Sequence, residues 1–375
     1  MPIKKSPYKN FFLNFILIQL LTSFVLLASE TSDIQTPQKY TNSKSTQFMQ
    51  EQQLSQAFSQ EIHHFWQQGH FSHFDSLDKV RINYAQFLQA NDNQQCIVII
   101  PGRSETYLKY QELSYDLHQQ GYSIFILDHR GQGLSERLIA NPYKGYVATF
   151  ADYEHDLSYF IDNIVNVACQ EKPFILAHSM GSLIASRYMQ RFQNKIKAAV
   201  LSSPMMGFSS GPIPSVIAKG LISAGNTLNH WLSDTPWYFL GQNDYQVTAF
   251  NQNQLSHSRI RYQSFVNLYQ ETPEVQLGGV TVNWLHQGIK SQSILFSQLQ
   301  QLTTPIQVLQ AGDDTVVDNE AQDDFCQQLH HLQPQSCPQG KPVVITGAYH
   351  ELFIESDVMR EEVLLHILTW FKLHS

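Results

Sequence analysis

The stretch from Phe174 to Gly181, Phe-Ile-Leu-Ala-His-Ser-Met-Gly, constrains this chain more than any other. It begins as a short apolar run of the kind that makes a buried strand. It breaks at Ala177-His178-Ser179-Met180-Gly181, and Ser182 to Phe192 read as a helix. A serine at a strand-to-helix break, with small residues two before and two after, has the pattern of a nucleophile elbow. In such a turn the flanking backbones nearly touch, so positions 177 and 181 must be small. The serine hydroxyl then projects above the strand ends, beside the N–H of Met180. Position 177 is Ala where Gly is usual. A serine in an ordinary helix N-cap is the plainer reading, and partners elsewhere in the chain must decide.

The surrounding text alternates. Val80, Ile82 and Tyr84 read as one strand, and Cys96 to Ile100 as a continuous apolar one. Tyr107 to Gln120 reads as a helix, Ser123 to Leu127 as a strand, Phe150 to Val167 as an amphipathic helix and Ala198 to Leu201 as a strand. Strands that are apolar throughout need cover on both faces, which means an α/β fold with a mostly parallel sheet flanked by helices. The rhythm stops at Pro204. It resumes near Trp284 with a helix to Leu302, a strand at Ile306 to Gln310, a helix at Glu320 to Leu332, a strand at Val343 to Thr346 and a helix at Val358 to Leu373. An inserted cap at about 204–280 is expected. Ligands of open α/β sheets bind beyond the carboxyl ends of the strands, where such a cap would shape the pocket.

An elbow serine is inert until a base takes its proton and an acid orients that base. In this architecture the order along the chain is serine, then acid, then histidine. After Ile306 to Gln310 come Asp313, Asp314 and Asp318; after Val343 to Thr346 comes His350, in a loop led by Gly347. The residues alone leave the acid open among the three aspartates. Two N–H donors must hold the oxyanion, and Met180 supplies one. The loop Pro101-Gly102-Arg103 follows the Cys96 strand and offers the N–H of Arg103 as the second.

A formal net charge of −8 over 375 residues gives nothing to attract nucleic acid. Lys4, Lys5 and Lys9 precede an uncharged apolar run from Phe11 to Ala28. Residues 1–29 therefore read as a signal peptide or N-terminal anchor. Either form predicts export, to the periplasm, the outer face of an inner membrane or the medium. Residues 30–75 read as a Gln-rich linker running into a helix near Gln50 to Gln67, and 76–375 as the catalytic domain. Among the four cysteines, Cys326 and Cys337 flank a short Pro-containing loop and are expected to form a disulfide. Cys96 and Cys169 are expected to be buried thiols. No CxxC or HExxH pattern occurs, so no metal and no cofactor are expected. His63, His64, His70 and His73 are assigned to packing or surface.

Five segments together carry a likeness. They are Pro101 to Glu105 with Tyr110, Leu127 to Ser135, Leu176 to Gly181, Leu255 to Tyr262 and Gly347 to Glu351. From about Lys79 to Phe371 the chain resembles the α/β-hydrolase superfamily, in the branch of monoacylglycerol lipases and bacterial lysophospholipases. Position 101 is Pro where the monoacylglycerol lipases carry His. The resemblance implies Ser179 as nucleophile, His350 as base and Asp314 as acid, with the N–H groups of Arg103 and Met180 at the oxyanion. It implies structural roles for Asp128, Arg130 and Gly133.

The expected reaction is hydrolysis of the single acyl ester of a lysophospholipid through an acyl-serine. A monoacylglycerol lipase or general carboxylesterase is the enzymatic alternative, and an inactive hydrolase fold acting as a binding module the non-enzymatic one. Expected partners are a single-chain lipid ester and a membrane surface. Phe208, Ile213, Ile217, Leu221, Trp231, Trp237, Tyr238 and Phe239 are apolar candidates for the acyl chain. Arg259 and Arg261 are the candidates for a phosphate headgroup, against a plainer role as partners of surface acids.

Overall fold

The computed structural model describes residues 48–90, 95–208 and 215–375. The expected signal or anchor at 1–29 and the linker up to residue 47 lie outside them, as does Ile213. Two short helices come first, α1 (Glu51–Ala57) and α2 (Glu61–Gln67), where one was expected. Then come β1 (His70–Asp75), β2 (Arg81–Phe87) and β3 (Gln95–Ile100). A 3-10 turn at Tyr107–Tyr110 leads into α3 (Gln111–Gln119), followed by β4 (Tyr122–Leu127). Helix α4 (Ala151–Phe160) continues through a π-turn into α5 (Asn166–Ala168). The elbow strand β5 (Phe174–His178) feeds α6 (Met180–Arg191), and β6 (Ala199–Ser202) closes the first half.

The described residues between β6 and the resumption of the alternation include the α-helices α7 (Ser215–Leu232) and α8 (Arg259–Glu271). The second half is α9 (Val282–Ser297), β7 (Ile306–Ala311), α10 (Asn319–Leu332), β8 (Val343–Ile345) and α11 (Asp357–Leu373). Among the described residues no helix is long and apolar enough to cross a membrane.

Among the described residues eight strands form one sheet in the order β1-β2-β4-β3-β5-β6-β7-β8. Strand β2 pairs antiparallel with both β1 and β4, and every other pairing is parallel. Strands β4 to β7 are buried along their whole length, as continuous apolar runs require. Side chains of α4, α6 and α10 complete the core on one face, and those of α3 and α11 complete it on the other. Strand β1 was not anticipated. It is an edge strand in which Phe74 is buried and His70, Phe71 and His73 are not, so its hydrophobic period is faint.

Cys326 and Cys337 are bonded as expected, with Cα atoms 5.2 Å apart. The expectation of free thiols at Cys96 and Cys169 is corrected: they form a second disulfide, with Cα atoms 6.3 Å apart. The cause is topological. Strands β3 and β5 are parallel neighbours, so the start of β3 and the approach to β5 meet at the same sheet edge. Cys337 likewise sits at the start of β7, where its N–H donates to Ile306 O. Both bridges thus staple the edge from which the parallel strands begin.

Candidate active site

Helix α6 starts immediately after β5, and the single residue that turns the chain between them is Ser179, at φ 50° and ψ −117°. A non-glycine residue at positive φ is strained and needs the surroundings to hold it. They do so with bonds on both sides: Ser179 N–H donates to Ser202 O at 3.0 Å, and Met205 N–H to Ser179 O at 3.1 Å. The need for glycine at 181 is direct. A Cβ there would stand 2.2 Å from Ile100 O and 2.4 Å from Pro101 O.

The hydroxyl reaches the loop after β8. Ser179 Oγ lies 3.0 Å from His350 Nε2, and His350 Nδ1 lies 2.7 Å from Asp314 Oδ2. With the proton on Nδ1, the imidazole donates to Asp314 and accepts from the serine. The loop after β7 leaves no ambiguity about which aspartate reaches it. Asp318 caps α10 through Glu320 N–H and Ala321 N–H, and Asp313 is exposed. Burial alone would raise the carboxyl of Asp314. The hydrogen bond and charge of His350, together with the N–H groups of Val316 and Val317, hold it below the usual aspartate value.

The two N–H groups expected at the oxyanion belong to Met180 and Arg103. Met180 opens α6, so its N–H has no acceptor within the helix. In the loop after β3, Gly102 N–H donates to Glu105 Oε2, and Ser104 N–H to Gln132 Oε1 at 3.3 Å. Gln132 donates to Gly102 O and Glu105 O in return. These ties fix the loop on either side of the Arg103 N–H. His129 adds another: burial pushes its imidazole down to about 4, so it is neutral, and its Nε2–H donates to Pro101 O at 3.0 Å.

Asp128 accepts from Tyr107 N–H, Thr106 Oγ1 and Leu134 N–H. A Cβ on Gly133 would collide with it at 2.2 Å. Arg130 holds Asp156 at 2.6 Å and Asp78 at 2.8 Å. This loop braces the site from beneath.

Behind the histidine lies a buried ionic cluster that sequence reasoning missed. Lys109 Nζ stands 2.5 Å from Glu105 and 2.7 Å from Glu351. His178 Nδ1 stands 3.2 Å from Glu105, and its Nε2 3.3 Å from His350 O. Tyr110 OH donates to Glu105 at 2.5 Å. Burial would lower the His178 imidazole, but the carboxylates of Glu351 and Glu105 push it up to about 9. Glu105, His178 and Glu351 could otherwise ligate a metal; the ammonium of Lys109 occupies that place. The signal available was the i,i+4 pair Glu105–Lys109, next to a motif already singled out.

The site opens into a cavity of about 1190 Å³, walled by apolar side chains that include Met205, Phe208, Phe239, Phe265, Trp284 and Ile289. Of the apolar candidates from the cap, Phe208 and Phe239 line it, whereas Ile217, Leu221, Trp231 and Trp237 face outward. Tyr238 bonds Asp244 at the rim. The two headgroup candidates are corrected: neither Arg259 nor Arg261 lines the cavity. Arg261 is buried away from the cavity, with Glu112 at 3.0 Å, Asp357 at 2.8 Å and Glu355 O at 2.8 Å. Arg259 is exposed and stacks over Phe250, 4.3 Å from the ring centroid.

The fold is shared with known proteins. Residues 91–357 match the family described as Serine aminopeptidase, S33 (Hydrolase_4). The chain belongs to the Hydrolase_4 family. Within this sequence space it is 35% identical over 315 residues to lysophospholipase L2 of Escherichia coli strain K12, across 83% of this chain and 90% of that protein. It is 31% identical over 301 residues to the probable lysophospholipase L2 of Haemophilus influenzae, across 80% and 91%. Among solved structures, a soluble variant of monoglyceride lipase from Saccharomyces cerevisiae superposes with a TM-score of 0.61 at 19% identity, covering 82% of this chain and 95% of that one. The fold of the Hydrolase_4 member described here is therefore the α/β-hydrolase fold.

Proposed function

We propose that the chain is a lysophospholipase that cleaves the single acyl ester of its substrate through an acyl-Ser179 intermediate. His350 Nε2 takes the proton of Ser179 as Oγ attacks the carbonyl carbon, and Asp314 holds the imidazolium in place. The N–H groups of Met180 and Arg103 receive the negative charge on the carbonyl oxygen. Collapse expels the glycerol oxygen, which leaves with the proton from His350. Water then enters, gives a proton to Nε2 and attacks the acyl carbon; the returning proton restores Ser179 as the fatty acid departs. The observation that carries this reading is the relay of 3.0 Å and 2.7 Å from Ser179 through His350 to Asp314, at the floor of an apolar cavity. The likeness to lysophospholipase L2 over most of both chains supports the substrate class.

The direct test is turnover of lysophosphatidylethanolamine beside monoacylglycerol by purified protein. Preference for the phospholipid is expected. Preference for monoacylglycerol would favour a lipase like the rat monoglyceride lipase, to which the chain is 26% identical over 277 residues. Ser179→Ala should fold normally and lose turnover and fluorophosphonate labelling together; turnover near wild type would sink the mechanism. An unlabelled wild type would favour the binding module.

We propose further that the protein acts outside the cytoplasm and on a lipid surface. Two disulfides among the described residues support an oxidising compartment. Exposed Ile217, Leu221, Leu228, Trp231 and Leu232 on the cap helix α7 support contact with lipid. Sedimentation with vesicles, weakened by Trp231→Ser and Leu221→Ser together, tests the second point. Localisation of a tagged full chain tests the first.

A further inference from the structure

Among the described residues two cations of the cavity wall have no carboxylate partner, the exposed Lys219 and the half-buried Arg103 beside the serine. Arg103, whose backbone borders the nucleophile, also sends its side chain along the cavity wall. One guanidinium nitrogen, Nη1, donates to Gly278 O at 2.8 Å, and the group stands 5.8 Å from the ring centroid of Trp284. A Cβ on Gly145 would come within 3.3 Å of Nη1, so glycine there leaves the guanidinium its room. The remaining N–H groups have no acceptor among the described residues. The neighbouring Glu105 carboxylate is engaged by Lys109, Tyr110 and His178.

The other buried or half-buried arginines among the described residues are handled differently, whereas the exposed Arg259 also lacks a carboxylate. Arg130 pairs with Asp78 and Asp156, Arg187 with Glu154, and Arg261 and Arg360 with Glu112. Arg137, which also lacks a carboxylate, donates to the carbonyls of Pro142, Gly133, Ser135 and Glu274. Arg103 has one carbonyl. Arg103 is half-buried, and the desolvation it suffers with no carboxylate beside it lowers its guanidinium from the usual arginine range. An anion from solution would offset that desolvation.

From this geometry we infer that the Arg103 side chain binds the phosphodiester of the substrate headgroup and so sets the preference for lysophospholipid over monoacylglycerol. The inference rests on the lysophospholipase reading and gives it a residue. A guanidinium fork fits a phosphate with two N–H donors. Three glycerol carbons and one oxygen separate the scissile ester oxygen from phosphorus, a reach like that of an arginine side chain measured from the oxyanion loop. With the carbonyl oxygen at the Arg103 N–H, the phosphate of the same molecule comes to the Arg103 guanidinium. One residue would thus hold the acyl carbonyl oxygen through its N–H and the leaving group's phosphate through its side chain.

The experiment uses the full chain, p-nitrophenyl butyrate as an ester without phosphate, and glycerophosphoethanolamine as a headgroup without an acyl chain. In the wild type, glycerophosphoethanolamine should inhibit p-nitrophenyl butyrate hydrolysis competitively, while glycerol does not. Arg103→Gln should raise that inhibition constant about 10- to 100-fold. It should also raise the KM for lysophosphatidylethanolamine by a similar factor over any change seen with monoacylglycerol. Arg103→Lys, which keeps the charge and loses the fork, should fall between.

A wild type not inhibited by glycerophosphoethanolamine would overturn the inference, and so would an inhibition constant indifferent to Arg103. Equal losses on all three esters would mark the side chain as a tie between the oxyanion loop and the cap. Inorganic phosphate as potent as glycerophosphoethanolamine would make a free anion the ligand and reject the headgroup. A wild type that hydrolyses p-nitrophenyl butyrate but not lysophosphatidylethanolamine overturns the lysophospholipase reading itself. One that hydrolyses both, with a KM indifferent to Arg103, overturns this inference alone.

Discussion

At the scale of single residues, the chemistry lies in how each side chain is held. Asp314 meets His350 while two backbone N–H groups fix its other oxygen, so Asp314→Asn should lose the imidazole tautomer as well as the charge. A fall in kcat of roughly 10⁴-fold is expected. Asp313→Asn and Asp318→Asn should stay within about tenfold of wild type, since neither removes the orienting acid. A dead Asp313 variant with an active Asp314 variant would reject the geometry.

His178 makes a different prediction, about stability. Its imidazole is raised in the folded protein to about 9, against about 6.5 for an unfolded chain. The charged form is therefore favoured by folding. That contribution is fully present below about pH 6.5 and disappears as pH rises through about 9. His178→Gln should lower the urea midpoint clearly at pH 6 and far less at pH 10. An equal loss at both values would mean that packing, not charge, is what His178 supplies.

Ser179, His350 and Arg103 could be found in the sequence because each stands just after an apolar strand, where the fold delivers side chains to one edge. What Arg103 does beyond its N–H could not be found there. An arginine's partner is a matter of three-dimensional proximity, and the text around it names none.

At the scale of elements, the misassigned Arg261 shows how the cap is tied down. Glu112 on α3 takes Arg261 from cap helix α8 and Arg360 from α11, and Asp357 of α11 takes Arg261 as well. Glu51 of α1 joins the same knot, its N–H donating to Asp357 and its carboxylate accepting from Ser258. Four helices from distant parts of the chain meet at one buried ionic junction. Removing Arg261 leaves the buried Glu112 with Arg360 alone and takes from the half-buried Asp357 its cation. Arg261→Met should therefore cost about 3–5 kcal/mol of stability, read as a lowered urea midpoint, with little change in KM for lysophospholipid. A large KM effect at unchanged stability would restore Arg261 to the substrate.

The sequence showed two arginines beside a histidine and suggested a phosphate site. Helix α8 turns Arg261 inward, and its acids lie far off in the chain at 112 and 357. Periodicity carries no information about pairs that distant. The same limit hid β1, whose exposed Phe71 and histidines blur the alternation by which β2 could be recognised.

At the scale of the whole domain, the parallel sheet has two unlike edges. Ser179, Asp314 and His350 gather where strands β5, β7 and β8 end. The bridges Cys96–Cys169 and Cys326–Cys337 sit where β3 and β7 begin. In the chain-entropy account, closing loops with sequence separations of 73 and 11 contributes about 4 and 3 kcal/mol respectively. Mild reduction should thus leave the rate constants at 25 °C close to those of the oxidised protein and lower Tm by several degrees. A loss of turnover on reduction, before any unfolding, would contradict it. The spacing of Cys326 and Cys337 made their bridge legible, whereas the Cys96–Cys169 bridge required knowing that β3 and β5 are neighbours.

This separation gives the molecule a shelf life that depends on where it is kept. Kept reduced, it would work normally when freshly made and wear out quickly on warming. Kept oxidised, the same catalyst would last.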